Sequence, residues 1–211
     1  MIRLLLISSF ISFAHSFAHD LCVVGATSGL GRELIYQTTK IRKKSVLALT
    51  CSTNNKIYLP YRGNSFNYKE TNETFAKNID IDTYWVAKPY QYKHVVFCTS
   101  AKPFEKDYSD IVTSKILSNL PGCCQSISLV SAYGVGDSLE NANLGIQIMN
   151  SLYLRDVYRA KNKQEELINF YNNPNICKNI YRPKALSYGQ TVLESMSRAD
   201  FAERILDDIR L

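Results

Sequence analysis

Leu21-Cys22-Val23-Val24-Gly25-Ala26-Thr27-Ser28-Gly29-Leu30-Gly31-Arg32-Glu33-Leu34-Ile35 reads as a buried strand, a glycine-rich turn and the opening turns of a helix. That order suits a dinucleotide pyrophosphate. Gly25 permits the tight turn off the strand, Gly29 lets the backbone approach the phosphates, and Gly31 lets the helix pack close to the strand. The helix N-terminus then offers N–H groups and a partial positive charge to the anion. Three glycines alone are weak evidence. Here an apolar strand precedes them and an amphipathic run follows them, which is the context the motif requires. Cofactor contacts are expected from Gly25, Thr27, Ser28, Gly29, Leu30, Gly31 and Arg32. The bland alternative is a structural strand–turn–helix beside an empty crevice.

Outward from this stretch the pattern alternates strand and helix. Val46 to Cys51 is a second strand. Ile57 to Tyr61 forms a short extra strand or hairpin, demoted to an edge by Pro60. Phe66 to Tyr68 is the expected third strand, and Thr71 to about Ile79 is short and helical. His94 to Ser100 is a buried strand. Asp110 to Leu120 reads as a helix that stops at Pro121-Gly122. Ser126 to Ser131 is the next strand. A long helix covers roughly Ile146 to Tyr171 and ends at Asn172-Asn173-Pro174. Ile176 to Tyr181 is a further strand. Ser197 caps a last helix from Arg198 to about Ile209, with Asp200 in its first turn as the dipole prefers. The fold class is therefore α/β: a single doubly wound, Rossmann-like domain with a mostly parallel sheet. Ligands in such sheets bind outside the carboxyl ends of the strands at the switch point. Those ends are expected at Gly25–Gly31, Thr50–Asn54, Cys98–Lys102, Ser131–Tyr133 and Arg182–Leu186.

Size and composition agree. A chain of 211 residues, 45% hydrophobic and 21% charged, suits one domain with a full core. The net charge of +6 comes from scattered basic residues, with one run at Arg42-Lys43-Lys44 that reads as a solvated helix end. No basic stripe is interleaved with aromatics, so nucleic-acid binding is not expected. No internal repeat or long low-complexity linker is present.

Residues 1–18 differ from the rest. Met1-Ile2-Arg3 is a short basic start, and the apolar run of ten residues from Leu4 to Phe13 is too short to span a bilayer. Small residues at Ala14-His15-Ser16 and Ser16-Phe17-Ala18 suit a signal peptidase. The segment is read as a targeting peptide ahead of a domain at 19–211, with no membrane span left after its removal. The other reading is an apolar extension that stays on the protein. Ala14-His15-Ser16-Phe17-Ala18 also resembles the cleavage motif of proteins sent to complex plastids. The expected destination is thus the secretory pathway or such a plastid, otherwise the cytoplasm. The six cysteines (Cys22, Cys51, Cys98, Cys123, Cys124 and Cys177) are read as structural thiols. They make no metal-ligand spacing, and they argue mildly against an oxidising compartment.

Four segments resemble an atypical short-chain dehydrogenase/reductase, of the NmrA-like and flavin/biliverdin-reductase-like kind. They are Gly25-Ala26-Thr27-Ser28-Gly29-Leu30-Gly31; Leu129-Val130-Ser131-Ala132-Tyr133-Gly134; Tyr158 to Leu167; and Tyr181 to Leu186 with Met196 to Ala202. The resemblance covers nearly all of residues 20–211. It implies that Ser131 occupies the catalytic Ser position, where its hydroxyl can bond a substrate carbonyl; the local alternative is a strand-end Ser serving the backbone. It implies that Lys161 occupies the position of the Lys that holds the nicotinamide ribose. The alternative is an exposed Lys paired with Glu165 one turn on. The family's catalytic Tyr position is Val157 in this chain. Tyr158 is rotated from it by about 100° and should point elsewhere, while Tyr153 lies within about 40° of it. Tyr133 is the remaining candidate beside the crevice. The usual Tyr–Lys proton relay is therefore expected to be absent.

Cofactor choice rests on the end of the second strand, where NAD binders place an acid for the ribose 2′-hydroxyl. Thr50-Cys51-Ser52-Thr53-Asn54 holds none. Ser52, Thr53 and Asn54 can bond a 2′-phosphate, with charge from Arg32 or Lys56, so NADP(H) is favoured over NAD(H). Thr99 and Ser100 are expected to line the crevice. Two functions compete: an NADP(H)-dependent oxidoreductase acting on a small or planar acceptor such as a flavin or quinone, and a non-catalytic NADP(H)-binding regulator or assembly factor. Val157 favours the second, as does the shortage of chain for a substrate lobe: 25 of the 211 residues follow Leu186. The expected partners are the dinucleotide and a small-molecule acceptor, with no metal; the oligomeric state is left open.

Overall fold

The computed structural model describes residues 18–51, 58–59, 69–70, 79–84, 89–99, 108–139, 154–184, 186–187 and 196–211. Six strands form one fully parallel sheet: β1 (His19–Val24), β2 (Val46–Thr50), β3 (Ile79–Thr83), β4 (Tyr92–Phe97), β5 (Ser126–Val130) and β6 (Cys177–Tyr181). Their order is β3-β2-β1-β4-β5-β6. Among the described residues four α-helices accompany them: α1 (Gly29–Tyr36), α2 (Ser109–Leu117), α3 (Arg155–Phe170) and α4 (Arg198–Asp208).

The side-chain alternation of a strand sorts the core into two layers. Leu21 and Val23 of β1, Val46 and Ala48 of β2 and Val96 of β4 meet Leu34 and Ile35 of α1 and Phe201, Ile205 and Leu206 of α4. Their neighbours Cys22, Val24, Leu47, Leu49, Val95 and Phe97 meet Val112 and Leu117 of α2 and Ile168 of α3 on the opposite face. The central strands are apolar throughout because both faces are covered, as in doubly wound sheets. Each fully buried aliphatic side chain contributes about 1.5–3 kcal/mol.

The chain leaves β1 toward β2 and β3 on one side, then returns to place β4 on the other. The switch point, where such sheets bind ligands, thus falls between the carboxyl ends of β1 and β4. Gly25 and Ala26 continue the ladder there by donating to Leu49 O (3.0 and 3.1 Å), and Cys98 N donates to Val24 O (2.8 Å).

Several expectations change. The third sheet strand is Ile79–Thr83 rather than Phe66–Tyr68, which lies outside the described residues. Ile79 ends no helix; it begins this edge strand, and 71–78 lie outside the described residues. The short hairpin near Ile57–Tyr61 takes the form of Tyr58–Leu59 paired antiparallel with Lys69–Glu70. The helix expected from Ile146 is described from Arg155, with 146–153 outside the described residues. All six cysteines are free thiols, but Cys51, Cys123 and Cys177 are exposed, so only Cys22, Cys98 and Cys124 fill the core. Residues 1–17, with the expected leader, lie outside the described residues. No helix among the described residues is long and apolar enough to cross a membrane.

Candidate functional site

The glycine turn stands at the switch point, and its geometry explains two of its three glycines. Gly25 has φ +87°, which L side chains rarely adopt. A Cβ there would also lie 2.8 Å from Thr99 N and 2.9 Å from Cys98 C, the backbone that follows β4. At Gly31 a Cβ would lie 2.5 Å from Gly25 O and 2.9 Å from Ser28 Oγ. The turn therefore folds back against the first turn of α1. Ser28 is the N-cap, extended in backbone, and its Oγ accepts from Gly31 N at 2.9 Å. That bond satisfies one of the helix's leading amides and leaves those of Gly29 and Leu30 ahead of it, without intrahelical acceptors. Leu30 itself is buried in the core, so its contribution to a ligand is its amide. Thr27 and Gly29 are half-buried, as is Arg32 one turn into the helix.

Across the switch point the ends of β4 and β5 are joined by α3. Lys161 is 4% exposed, and its ammonium donates to Thr99 O (2.5 Å) and Val130 O (2.9 Å). The exposed Lys161–Glu165 pair considered from sequence is not formed. Glu165 instead accepts a bidentate ion pair from Arg182, with Nε at 2.9 Å and Nη2 at 2.6 Å. Gln164, fully buried one position before it, donates to Thr113 Oγ1 (2.6 Å), Ser109 O (3.2 Å) and Thr99 Oγ1 (3.2 Å). Thr99 is thus held through both its carbonyl and its hydroxyl. Burial pushes the Cys98 thiol up to about 12 against the opposing pull of Lys161, so it stays protonated.

Ser131 continues β5, and its amide donates to Tyr181 O at 2.8 Å. The residue is buried, and among the described residues its hydroxyl has no hydrogen-bond partner. A buried hydroxyl left without a partner calls for water or a ligand. Tyr133 is half-buried: its amide donates to Pro183 O (3.2 Å), and the Lys184 ammonium stands 5.7 Å from its ring centroid. Tyr158 points away from the position of its neighbour Val157, as its rotation requires, and donates its hydroxyl to Tyr133 O at 3.0 Å. Burial raises its phenol above the ordinary range.

At the end of β2, Cys51 is exposed; Ser52, Thr53, Asn54 and Lys56 lie outside the described residues, as do Ser100 and Tyr153. The acid nearest in register is Asp82, opposite Leu49. It is buried, accepts from Thr83 N at 2.7 Å and is bonded by the Tyr90 hydroxyl. Among the described residues no cluster of side chains could hold a metal ion. A groove of about 420 Å³ lies between α2 and α3, lined by Leu117, Lys163, Glu166, Leu167 and Phe170. It sits toward the amino ends of the strands and is not the crevice.

Sequence reasoning placed Arg182 only as a strand end and Glu165 only as a partner for Lys161, and it missed Gln164 and Asn162 as parts of this region. The available signal was a polar stripe on α3 at helical spacing beside Lys161, on a helix with little apolar surface.

No protein-family model matches the chain, and no curated protein matches it. Solved structures share its fold. One is ChuY, an anaerobillin reductase from Escherichia coli O157:H7, with TM-score 0.60 at 14% identity, covering 89% of each chain. A second is provisionally described as an NADH-flavin reductase, from Streptococcus pneumoniae TIGR4, with TM-score 0.60 at 14% identity, covering 92% of this chain and 93% of that one. A third is provisionally described as an NAD-dependent epimerase/dehydratase, from Bacillus halodurans, with TM-score 0.59 at 14% identity, covering 91% and 88%. At 14% identity this likeness shows the fold, which is Rossmann-like.

Proposed function

We propose that this protein binds a nicotinamide dinucleotide at the glycine turn, favours NADP(H) over NAD(H), and acts as an oxidoreductase on a small or planar acceptor. One observation carries the proposal: a turn at the switch point packed so tightly that a Cβ at Gly25 or Gly31 would collide with backbone, leading directly into a Ser28-capped helix N-terminus. Such a turn suits a pyrophosphate, whose charge meets free amides and the helix dipole. The Gly29 and Leu30 amides would hold the phosphates, and Thr99 with Ser131 would border the nicotinamide end. The NADP(H) preference is supported by Cys51 at the end of β2 and by an Asp82 carboxylate already bonded within β3 and to Tyr90. Ser52, Thr53 and Asn54 are the residues proposed to receive the 2′-phosphate.

The nicotinamide, when bound, supplies or takes a hydride. The chain's own residues position and screen that exchange. Lys161 clamps the ends of β4 and β5 through two carbonyls, so its role here is to hold Thr99 and Val130 in place. Among the described residues, the Ser131 hydroxyl is a buried side-chain donor without a partner and is the one proposed to meet an acceptor oxygen. With valine at 157 and the Tyr158 hydroxyl spent on Tyr133 O, the proton for a reduced acceptor comes from solvent, which suits a flavin or quinone.

The same two facts favour a second reading, a non-catalytic NADP(H)-binding regulator. Titration of the purified protein with NADPH and NADH by fluorescence tests the site and the preference together. Absence of binding to both at millimolar concentration removes the proposal. NADPH binding without reduction of any flavin or quinone selects the regulator.

A further inference from the structure

The loop that carries Ser131 and Tyr133 is fastened to one stripe of α3. Tyr158, Asn162 and Glu165 are spaced four and three residues apart, so they share a helix face. They meet the loop at two residues, Tyr133 and Gly136. The Tyr158 hydroxyl donates to Tyr133 O (3.0 Å), and Asn162 Oδ1 accepts from Gly136 N (2.8 Å). The Glu165 carboxylate lies under Gly136 so closely that a Cβ there would come within 2.6 Å of Oε2 and 3.0 Å of Arg182 Nη2. Gly136 has φ +56°, so the bare backbone and the left-handed turn are needed at one position. Arg182 follows β6 and grips Glu165 through two bonds, which ties helix, loop and sheet together.

The loop closes on itself at the far end. Ser138 Oγ accepts from Gly134 N (2.9 Å) and Val135 N (3.1 Å) and donates to Val135 O (2.6 Å). At the near end, Ser131 N and Tyr133 N extend the β5–β6 ladder by donating to Tyr181 O and Pro183 O. Both peptide groups of Tyr133 are therefore engaged, on opposite sides, by β6's continuation and by α3. Among the described side chains of this run, the Ser131 hydroxyl, at the crevice end, is buried without a hydrogen-bond partner.

We infer that Tyr158, Asn162 and Glu165, with Arg182, are positioning residues that hold loop 131–138 as a preformed wall on the acceptor side of the crevice. This rests on the dinucleotide reading proposed above. The four positioning residues fix where Ser131 and Tyr133 stand relative to the glycine turn without touching either ligand. Three ordinary helix-surface contacts would not converge on the backbone of one eight-residue loop, nor surround a carboxylate that is 5% exposed.

The test uses the full chain with Tyr158→Phe and Asn162→Ala, and Asn162→Asp to restore an acceptor oxygen. Amide exchange at Gly134 to Gly136 reads the fastening, NADPH fluorescence reads the turn, and kinetics with FMN and menadione read the acceptor side. Both weakened variants should exchange at least tenfold faster in the loop alone and keep NADPH affinity within twofold. Acceptor kcat/KM should fall tenfold or more, chiefly through KM, and Asn162→Asp should recover most of the loss. Unchanged loop exchange, unchanged acceptor kinetics, or NADPH affinity falling in step with turnover overturns the inference. So does a wild type that binds NADPH yet reduces neither acceptor, because the wall then positions nothing that reacts. A wild type that binds no NADPH instead defeats the underlying dinucleotide reading.

Discussion

Replacing Gly31 with alanine sets two effects of opposite sign against each other. Position 31 lies in the first turn of α1, and alanine is favoured over glycine within a helix by about 1 kcal/mol. Propensity alone predicts a stabilised protein. The added Cβ, however, would stand 2.5 Å from Gly25 O, 2.9 Å from Ser28 Oγ and 3.1 Å from Ala26 Cα. Two of these three are backbone atoms of the turn, and Gly25 is pinned from behind by Cys98 and Thr99. The turn cannot yield without lifting α1 from β1. Overpacking of this kind costs about 1–3 kcal/mol, and disturbing the Ser28 cap costs about 1 kcal/mol more. The net destabilisation is about 1–3 kcal/mol. In a domain of this size that lowers Tm by roughly 2–4 °C per kcal/mol. A lifted helix also misdirects the Gly29 and Leu30 amides, so NADPH affinity should fall by more than tenfold, or about 1.4 kcal/mol. Thermal unfolding and NADPH fluorescence on the same sample give both numbers. A Gly31→Ala protein that melts at or above the wild-type temperature and binds NADPH equally well refutes the argument, because the turn would then not be as tightly packed as described.

Ser28→Ala removes the cap bond to Gly31 N; it should cost about 0.5–2 kcal/mol of stability and weaken NADPH binding, measured by the same melt and titration. Lys161→Met strips Thr99 O and Val130 O of their donor. Each orphaned carbonyl costs about 1–3 kcal/mol, so a large drop in urea midpoint is expected, whereas a variant with normal stability and lost turnover would return Lys161 to a catalytic role. Burial lowers the pKa of His94, with Lys93 adding to it, and burial likewise lowers that of His19 against the pull of Asp80 and Asp20. Between 6.5 and those depressed values the unfolded chain binds more protons, so stability is full above pH 6.5 and falls as pH drops through that window; a His94→Gln variant should show a shallower fall in urea titrations. Burial raises the Asp20 carboxyl, but its bonds to Lys93 and Ser45 outweigh that and hold it below its usual 3.8. Its contribution is therefore lost only at more acid pH, which separates it from the histidines.

The parts of the fold legible in the sequence are those fixed by local chemistry. The β1–turn–α1 unit, the apolar runs of β2, β4 and β5, and the Ser197 cap, whose Oγ accepts from Asp200 N at 3.0 Å, all follow from residues a few positions apart. β3 was hidden because Ile79-Asp80-Ile81-Asp82-Thr83 carries two aspartates, residues that strands disfavour. As an edge strand it leaves Ile81 44% exposed, and its place is set by pairing with β2 rather than by its own pattern. The site divides in the same way. Gly25 and Gly31 announce themselves by type and spacing. The partners of Lys161 and Glu165 do not, because Thr99 O, Val130 O and Arg182 come from three strand ends that only the sheet brings together.

That division bears on function. Helical spacing offered Lys161 a nearby acid, Glu165, and a pair of that kind would have left both groups at the surface. The fold separates them instead: the cation is drawn inward onto two carbonyls, and the anion is neutralised by Arg182 under Gly136. Each donor around Val157 is committed in turn, Tyr158 to Tyr133 O, Lys161 to the strand ends, and Gln164 to Thr113 and Ser109. A reaction that needed an enzyme acid to protonate a carbonyl as hydride arrives would find, among the described residues, the Ser131 hydroxyl, whose ordinary acidity is far too weak to give up its proton unaided, with Tyr133 beside it. An acceptor that stabilises its own negative charge after hydride transfer has no such need. Reduction of flavins or quinones with a solvent-derived proton is the chemistry proposed on these grounds, and a strong preference for simple ketones over quinones under NADPH would contradict it.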